Sequence, residues 1–428
     1  MFNQSGLSLD QAPPISVVLR FFFSGTLFGI LAGVLVLFYQ NRIFDANSTE
    51  AVIVTHTLTL GVMLSFMLAA LFQMLPVIAG VTLPSPVKKA NLVQYPFIAG
   101  VITLLFAFKL STPWLFILSS LLLGGSILPI TVIMLKNLFA LPNHSSSSKG
   151  MSTALVSLGF VVLLALYMTA AQAGIISGEY YTLLKQAHFS FGLFGWVALL
   201  IISISFQVIE MFYVTPAYPK FVSGYLPFKL LGLLLLGLII SFLIPTVWAV
   251  IDVFIALVLI GYASITLKRL TQRKRPLTDA TVWFWRLGLS SLILSMLCIL
   301  VTLFTEQETL KQLSYLFFAT FALSIVFAMF YKIVPFLTWF HLNAQGYFTA
   351  PMMHEVIHPK TAMKHLYIHL TTLVTFLLSL FITPFIFLAG ILMILSFGWM
   401  TWQIVHAWKL YKHTQETGEK FTMNIGNS

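Results

Sequence analysis

Apolar residues occur along this chain in long uninterrupted blocks, not in the alternating or one-sided patterns of soluble domains. Blocks of about 18–25 residues are long enough to cross a hydrocarbon core of roughly 30 Å as a helix, whereas a transmembrane β-barrel would show shorter, alternating segments. The pattern predicts an all-α polytopic membrane protein, with residues 1–428 forming a single transmembrane domain. The predicted spans are about 17–39, 51–77, 94–110, 113–138, 151–176, 185–213, 226–244, 246–268, 280–304, 311–338, 362–382 and 384–409.

Composition and charge agree with this class and orient the helices. Of the 428 residues, 59% are hydrophobic and 8% are charged, which is too little charge to cover a soluble protein of this length. Lys and Arg are concentrated in alternate loops, as in the cytoplasmic loops of bacterial inner-membrane proteins. Both termini are therefore expected in the cytoplasm, and the net charge of +11 indicates topology in a lipid bilayer, with no nucleic acid as partner. The single cysteine, Cys298, excludes a disulfide framework and a Cys-based metal site.

A short motif recurs at intervals of four helices. It reads "LFQMLP" at 71–76, "SFQVIE" at 205–210 and "FYKIVP" at 330–335. The chain is therefore predicted to contain three four-helix repeats, and the second, sixth and tenth helices are expected to line the inside of three arcs. The repeats cover approximately 17–138, 151–268 and 280–409. The polar residues of the motif lie near the inner ends of their helices and are Gln73, Gln207 and Lys332.

Histidines occur near the outer ends of two of the same helices. His56 lies sixteen residues before Phe72, and His188 lies eighteen before Phe206. The offset of two residues turns a side chain by about 200° on an ideal helix, so His188 is equivalent to His56 only if a bulge intervenes. In the third repeat the corresponding residue is Tyr315.

Two chemical interpretations of the histidine pair stay open. Two neutral imidazoles on different helices can hold a b-type haem, and an imidazole can also bind copper. Gly61, Gly192 and Gly195 lie nearby, which would let the backbone approach a flat macrocycle. Alternatively, no cofactor is bound and His56 and His188 form hydrogen bonds between helices.

The arrangement resembles subunit I of the haem-copper oxidases, and still more the smaller relatives that include the nitric-oxide-stress proteins called NnrS. In topology the resemblance covers nearly the whole chain; in motif it depends chiefly on residues 55–76, with "THTLTLGVML", and 188–216. The oxidases bind their low-spin haem through the histidine of the second helix, so the resemblance implies that role for His56. It also implies electron transfer, nitric-oxide handling or respiratory-complex maturation, with a partner membrane subunit or an electron donor.

The departures from the oxidase pattern are equally informative. The sixth helix reads "HFSFGLFGW" at 188–196 and lacks the tyrosine of the oxidases' copper motif. The seventh helix has no histidine pair, and "TLKQLSYLFFATFALS" at 309–324 has no histidine where the oxidases have two haem ligands. An oxygen-reducing terminal oxidase is therefore not expected, although another oxidoreductase-related activity stays open.

A second histidine group follows the tenth span. His354 and His358 form the string HEVIH, which on a helix would place two zinc ligands on one face with Glu355 as general base. This string suggests a further function class, an intramembrane metalloprotease, in which His365 or His369 would supply another zinc ligand. Because Pro359 disfavours helical geometry at His358, we expect an interfacial loop and no protease centre.

One carboxylate lies inside a predicted span. Asp252 is about two turns from the outer surface, close to Trp248 in sequence. Ionisable residues within membrane helices commonly mark ion or proton pathways. Together with the repeats, Asp252 supports a second function class, a secondary transporter of a small solute or ion.

Overall fold

The computed structural model describes residues 12–275, 278–305 and 307–420, and it consists of long helices joined by short loops. Every predicted span corresponds to one long helix. The helices are α1 (Ile15–Tyr39), α2 (Thr49–Ala79), α3 (Pro86–Leu110), α4 (Pro113–Phe139), α5 (Ser146–Gln172), α6 (Tyr181–Tyr213), α7 (Lys220–Ser241), α8 (Val247–Thr271), α9 (Ala280–Thr302), α10 (Glu308–Ala344), α11 (Pro359–Ser379) and α12 (Phe385–Thr417).

Within the described residues, eleven of these helices are long and apolar enough to cross a membrane. The chain is thus a multi-pass integral membrane protein. The remaining helix, α11, has 21 residues but is more polar, because its first half contains Lys360, Lys364, His365 and His369. The predicted break near Pro245 is confirmed, since α7 ends at Ser241 and α8 begins at Val247.

Several predicted boundaries were wrong by more than a turn, and two of them illustrate the reason. Helix α3 begins at Pro86 instead of 94, so Lys88 and Lys89 lie in its first turn and not in a loop. Helix α10 continues past the predicted end at 338 to Ala344. A hydropathy pattern shows the part of a helix that lies in the hydrocarbon core. The helix itself can continue beyond that part, because polar side chains in its end turns reach water.

Helices α2, α6 and α10, which contain the recurring motif, all contribute to one apolar cavity of the bundle. The most apolar stretches of α2 and α6 are 83% and 78% buried. Nine residues of the cavity lining occupy the same positions relative to Phe72, Phe206 and Tyr331, and Phe22 of α1 and Trp285 of α9 also contribute to it. The three triplets are Phe66, Leu200 and Ile325; Met67, Ile201 and Val326; and Ala70, Ile204 and Met329.

Both α2 and α6 contain a π-helical segment. The segments are Thr57–Leu64 and Phe191–Ala198, and each begins fifteen residues before the aromatic residue of its motif. Since the two segments share one register, they do not cancel the two-residue offset between the histidines. The position in α6 that matches His56 is therefore Ser190, and His188 lies half a turn before it.

Three glycines bring α1 close to its neighbours. Gly25, Gly29 and Gly33 recur every four residues on one face of α1. A Cβ at Gly25 would lie 2.8 Å from the ring of Phe66 on α2, and a Cβ at Gly29 would lie 2.2 Å from the ring of Phe397 on α12. Small residues at this spacing are typical of tight packing between membrane helices.

The charge distribution leads to a topology prediction. Reporter fusions placed after Lys149 and after Arg275 should both report a cytoplasmic location in bacterial cells, because basic loops are retained there. Fusions after Asn47 and after Gly178, in loops at the opposite end of the bundle, provide the control and should report the periplasm. A periplasmic signal at Lys149 or at Arg275 would contradict the predicted orientation.

Candidate functional site

His56 and His188 come together at the end of the bundle where α2 and α6 begin. His56 is the last residue before the π-helical segment of α2, and its Nδ1 lies 2.8 Å from the carbonyl oxygen of Val52. The Nδ1 of His188 lies 3.1 Å from the carbonyl oxygen of Val161 on α5. A carbonyl only accepts, so in both rings Nδ1 is assigned as the N–H donor and Nε2 carries the lone pair. Metal-binding histidines are commonly oriented by such a second hydrogen bond.

The two imidazole rings lie close together, with a centroid separation compatible with one metal ion bound between them. Their centroids are 6.4 Å apart and their planes differ by 14°. Two metal–nitrogen bonds of about 2 Å, with the distance from each nitrogen to its ring centre, give a separation of roughly 6 Å. In the described part of the chain, neither Nε2 has a hydrogen-bond partner. Neither Nε2 lone pair is therefore occupied by a hydrogen bond within the described residues.

The surroundings of the pair are apolar and partly open. The ring of Phe108 lies 5.0 Å from that of His56, and Phe116 packs edge-on against Phe108. Both histidines are half-buried. Gly192, four residues after His188, faces open space, since a Cβ there would meet nothing within 4 Å. Apolar walls and free volume are what a haem between helices requires.

The other two glycines have a different role from the one expected. A Cβ at Gly61 would lie 2.6 Å from Phe28, and one at Gly195 would lie 2.8 Å from Ser157. These glycines pack α2 against α1 and α6 against α5, so they leave no space for a macrocycle. Only Gly192 has the predicted open surroundings.

Tyr315 and Asp252 lie at the same end of the bundle. The Tyr315 ring is 42% exposed and packs edge-on against Phe189, the residue after His188, with 5.8 Å between centroids. The Asp252 side chain is close enough to Tyr315 to interact electrostatically, and its buried Oδ1 has no hydrogen-bond partner within the described residues. Neither residue forms a hydrogen bond to an imidazole of the pair.

The three polar residues of the repeat motif have different surroundings. Gln73 is 4% exposed and its Oε1 has no hydrogen-bond partner among the residues described. Gln207 is half-buried. Lys332 instead forms an ion pair with Asp279 at 2.6 Å and lies over the ring of Tyr213. These residues therefore do not form one common site.

The ion pair determines the charge state of Asp279, which lies at the N-terminus of α9. Burial alone raises the pKa of this carboxyl group, but the charge and the hydrogen bond of Lys332 lower it, so that the pKa lies below its ordinary value. Asp279 also accepts hydrogen bonds from the hydroxyl of Thr281 and from the backbone N–H of Val282. The ionised carboxylate thereby caps α9 and anchors it to α10.

The HEVIH string is not one continuous helix. His354 lies in a single helical turn, Met353–Val356, and the following Ile357 is extended. His358 is also extended, as predicted from Pro359, and its Nδ1 accepts a hydrogen bond from the backbone N–H of Lys360. The two histidines do not share a helical face, and no group of three potential His, Cys, Asp or Glu ligands occurs in the described chain.

The structure gives His365 and His369 a role that the sequence analysis missed. Both are buried inside the bundle, at 0% and 5% exposure. The Nε2 of His365 is 2.7 Å from the hydroxyl of Ser396 on α12, and that of His369 is 2.9 Å from the hydroxyl of Ser324 on α10. They connect α11 to two neighbouring helices. Their spacing of four residues in the sequence already places both side chains on one face of α11.

We predict that Glu355 has no catalytic role. Its Oε2 accepts a hydrogen bond from the backbone N–H of Met352, which stabilises the short helix. Changing Glu355 to Gln retains an acceptor at this position, so zinc content, activity and thermal stability should equal those of the unchanged protein. Stoichiometric zinc that disappears when His354 and His358 are both changed to Ala would contradict the prediction.

Comparisons with known proteins do not assign a family to the chain, so a functional proposal has to be based on the geometry of the site. No protein-family model matches the chain, and a search of curated proteins finds no match either.

Proposed function

We propose that this membrane protein binds a b-type haem between His56 and His188 and acts in electron transfer. The observation that supports the proposal most directly is the paired geometry: near-parallel rings 6.4 Å apart, each with Nδ1 hydrogen-bonded to a carbonyl and Nε2 free. The two ligands come from α2 and α6. This differs from the oxidases, in which the second haem ligand lies on the tenth helix.

Electron transfer is favoured over binding of nitric oxide at the metal, because His56 and His188 would both hold the iron of a bound haem. When bound, such a haem would supply one-electron chemistry. His56 and His188 would hold the iron, Phe108 would provide an apolar wall, and the space at Gly192 would accommodate the macrocycle. The equivalent cavity positions on α2, α6 and α10 support the oxidase-like repeat.

An absorption spectrum of the purified protein tests the proposal. Protein from haem-replete cells should show the spectrum of a low-spin b-type haem when reduced, with one haem per chain after extraction. Metal analysis of the same sample distinguishes the copper alternative, because stoichiometric copper without haem would assign the imidazoles to a copper ion instead. A colourless, metal-free protein would overturn the proposal and leave transport through Asp252 as the function to test.

Filling the space at Gly192 should prevent haem binding without unfolding the protein. A phenylalanine at Gly192 would project into the open volume beside His188. We expect Gly192→Phe to fold, as judged by its elution as a single species in detergent, and to lose most of its haem. Gly232→Phe is the matched control, because Gly232 on α7 also has nothing within 4 Å of a Cβ. Equal haem content in both variants would place the cofactor elsewhere.

A further inference from the structure

A polar cleft lies at the opposite end of the bundle from His56 and His188. It is formed where α1 begins, where α10 ends and where the last turns of α12 pass between them. Helix α12 contributes Trp408, Tyr411, Lys412 and Gln415, which share one face of the helix, and α10 contributes His341 and Gln345. The cleft does not form part of the proposed haem site, and none of its residues belongs to the repeat motif.

The cleft presents positive charge and hydrogen-bond donors. The ammonium group of Lys412 lies 5.2 Å from the centroid of the Trp408 ring. The Nε2 of His341 is buried and has no hydrogen-bond partner in the described part of the chain. No carboxylate is present among the described lining residues. Among the described lining residues, Lys412 therefore provides positive charge that no carboxylate of the lining offsets.

The start of α1 adds backbone donors to the same cleft. Ile15 and Ser16 are its first two residues, and their N–H groups have no acceptor among the described residues. The first turn of α1 contains no acidic side chain that would compete for them. Helix N-termini favour anions because their free N–H groups and the helix dipole act together. Here that effect is combined with the charge of Lys412, and His341 can add an Nε2–H donor as a neutral imidazole.

The wall of the cleft is held in place by its own hydrogen bonds. The side-chain amide of Gln345 donates to the hydroxyl of Tyr411 at 2.6 Å, and the amide of Gln415 donates to the Oε1 of Gln345 at 2.8 Å. The rings of Trp408 and Tyr411 stack at 5.7 Å. These contacts connect α10 to α12, so the cleft is preformed and binding a ligand does not require ordering of its wall.

The depth of the cleft corresponds to the headgroup layer of a bilayer. Helix α12 begins at Phe385, at the His56 end, and a rise of 1.5 Å per residue places Trp408 about 35 Å further along. That distance exceeds the hydrocarbon thickness of roughly 30 Å and lies within the headgroup region. Tryptophan, tyrosine and lysine are the residues that membrane proteins place at this level.

We propose that this cleft binds a phosphate group, with Lys412 and the first N–H groups of α1 as the main donors. The shared chemistry of the ligand is a phosphate oxyanion, supplied either by the headgroup of an anionic phospholipid or by a soluble phosphate. Clefts with basic residues between membrane helices are suited to such headgroups. The site is independent of haem, so it can be tested whether or not haem is bound.

Thermal unfolding of the full-length, delipidated protein in detergent tests the site. Short-chain phosphatidylglycerol should raise the unfolding temperature in a saturable manner, whereas phosphatidylcholine of equal chain length should not. The unfolding temperature is also measured in inorganic phosphate and in chloride at equal ionic strength. This comparison distinguishes a lipid phosphate from a soluble phosphate as the ligand. Stabilisation by phosphatidylglycerol alone identifies a lipid site, and stabilisation by both identifies a general phosphate site. Stabilisation by neither overturns the proposal.

Two variants connect the effect to the cleft. Lys412→Gln should weaken binding at least about tenfold, the order expected for loss of a charge-assisted hydrogen bond. Lys409→Gln, which removes an exposed charge from another face of the same helix, should bind as the unchanged protein does. Ser16→Glu introduces a carboxylate that is compatible with the start of α1 yet repels a phosphate, so it should fold and abolish binding. Equal stabilisation of all these variants would contradict the proposed site.

Discussion

Changing His56 to Ala should remove the low-spin haem spectrum of the purified protein. The change removes one of the two imidazoles that would hold the iron, so haem should be either lost or retained by His188 alone as a high-spin form. His188→Ala should have the same effect, since each imidazole is oriented by its own carbonyl and neither can replace the other. The measurement is the absorption spectrum of oxidised and reduced protein, together with the haem content per chain.

Histidines at the other end of the bundle provide the controls. His406 and His413 are both exposed on α12, far from the pair. Their change to Ala should leave the spectrum and the haem content unaltered. An unchanged spectrum in His56→Ala would show that this side chain does not bind iron, and His56 would then be a packing residue bonded to its own helix.

The second large effect is expected on stability, at Gly29. A methyl group at this position would lie 2.2 Å from the ring of Phe397, which is 1% exposed and packs against Phe327. Because the ring is buried and already packed on its other side, Gly29→Ala should cost about 1–3 kcal/mol by overpacking. We expect a clear decrease in the thermal unfolding temperature in detergent.

The matched change at Gly232 separates packing from helix propensity. Gly232 lies in the middle of α7 with no atom within 4 Å of a Cβ, so Gly232→Ala should be neutral or slightly stabilising. Equal unfolding temperatures for the two alanine variants would show that the close contact between α1 and α12 is relaxed in the bilayer or in detergent.

The sequence by itself determined the class of the protein and the positions of its helices. A segment in hydrocarbon must satisfy its backbone hydrogen bonds internally, so a sufficiently long apolar block forms a helix whatever its neighbours are. The break before α8 and the extended backbone at His358 were predicted from proline, because proline restricts the backbone of adjacent residues. The motif spacing also pointed to three helices whose equivalent positions line one apolar cavity.

Only the tertiary structure decided what the side chains contact. The pairing of His56 with His188 depends on the relative rotation and depth of two helices that are distant in sequence, and the π-helical segments alter that rotation without an obvious sequence signal. In the same way, Gly61 packs against a neighbouring helix while Gly192 faces open space. These differences arise between helices. A hydropathy pattern shows which parts of each helix lie in the lipid. It does not show how one helix is rotated relative to another.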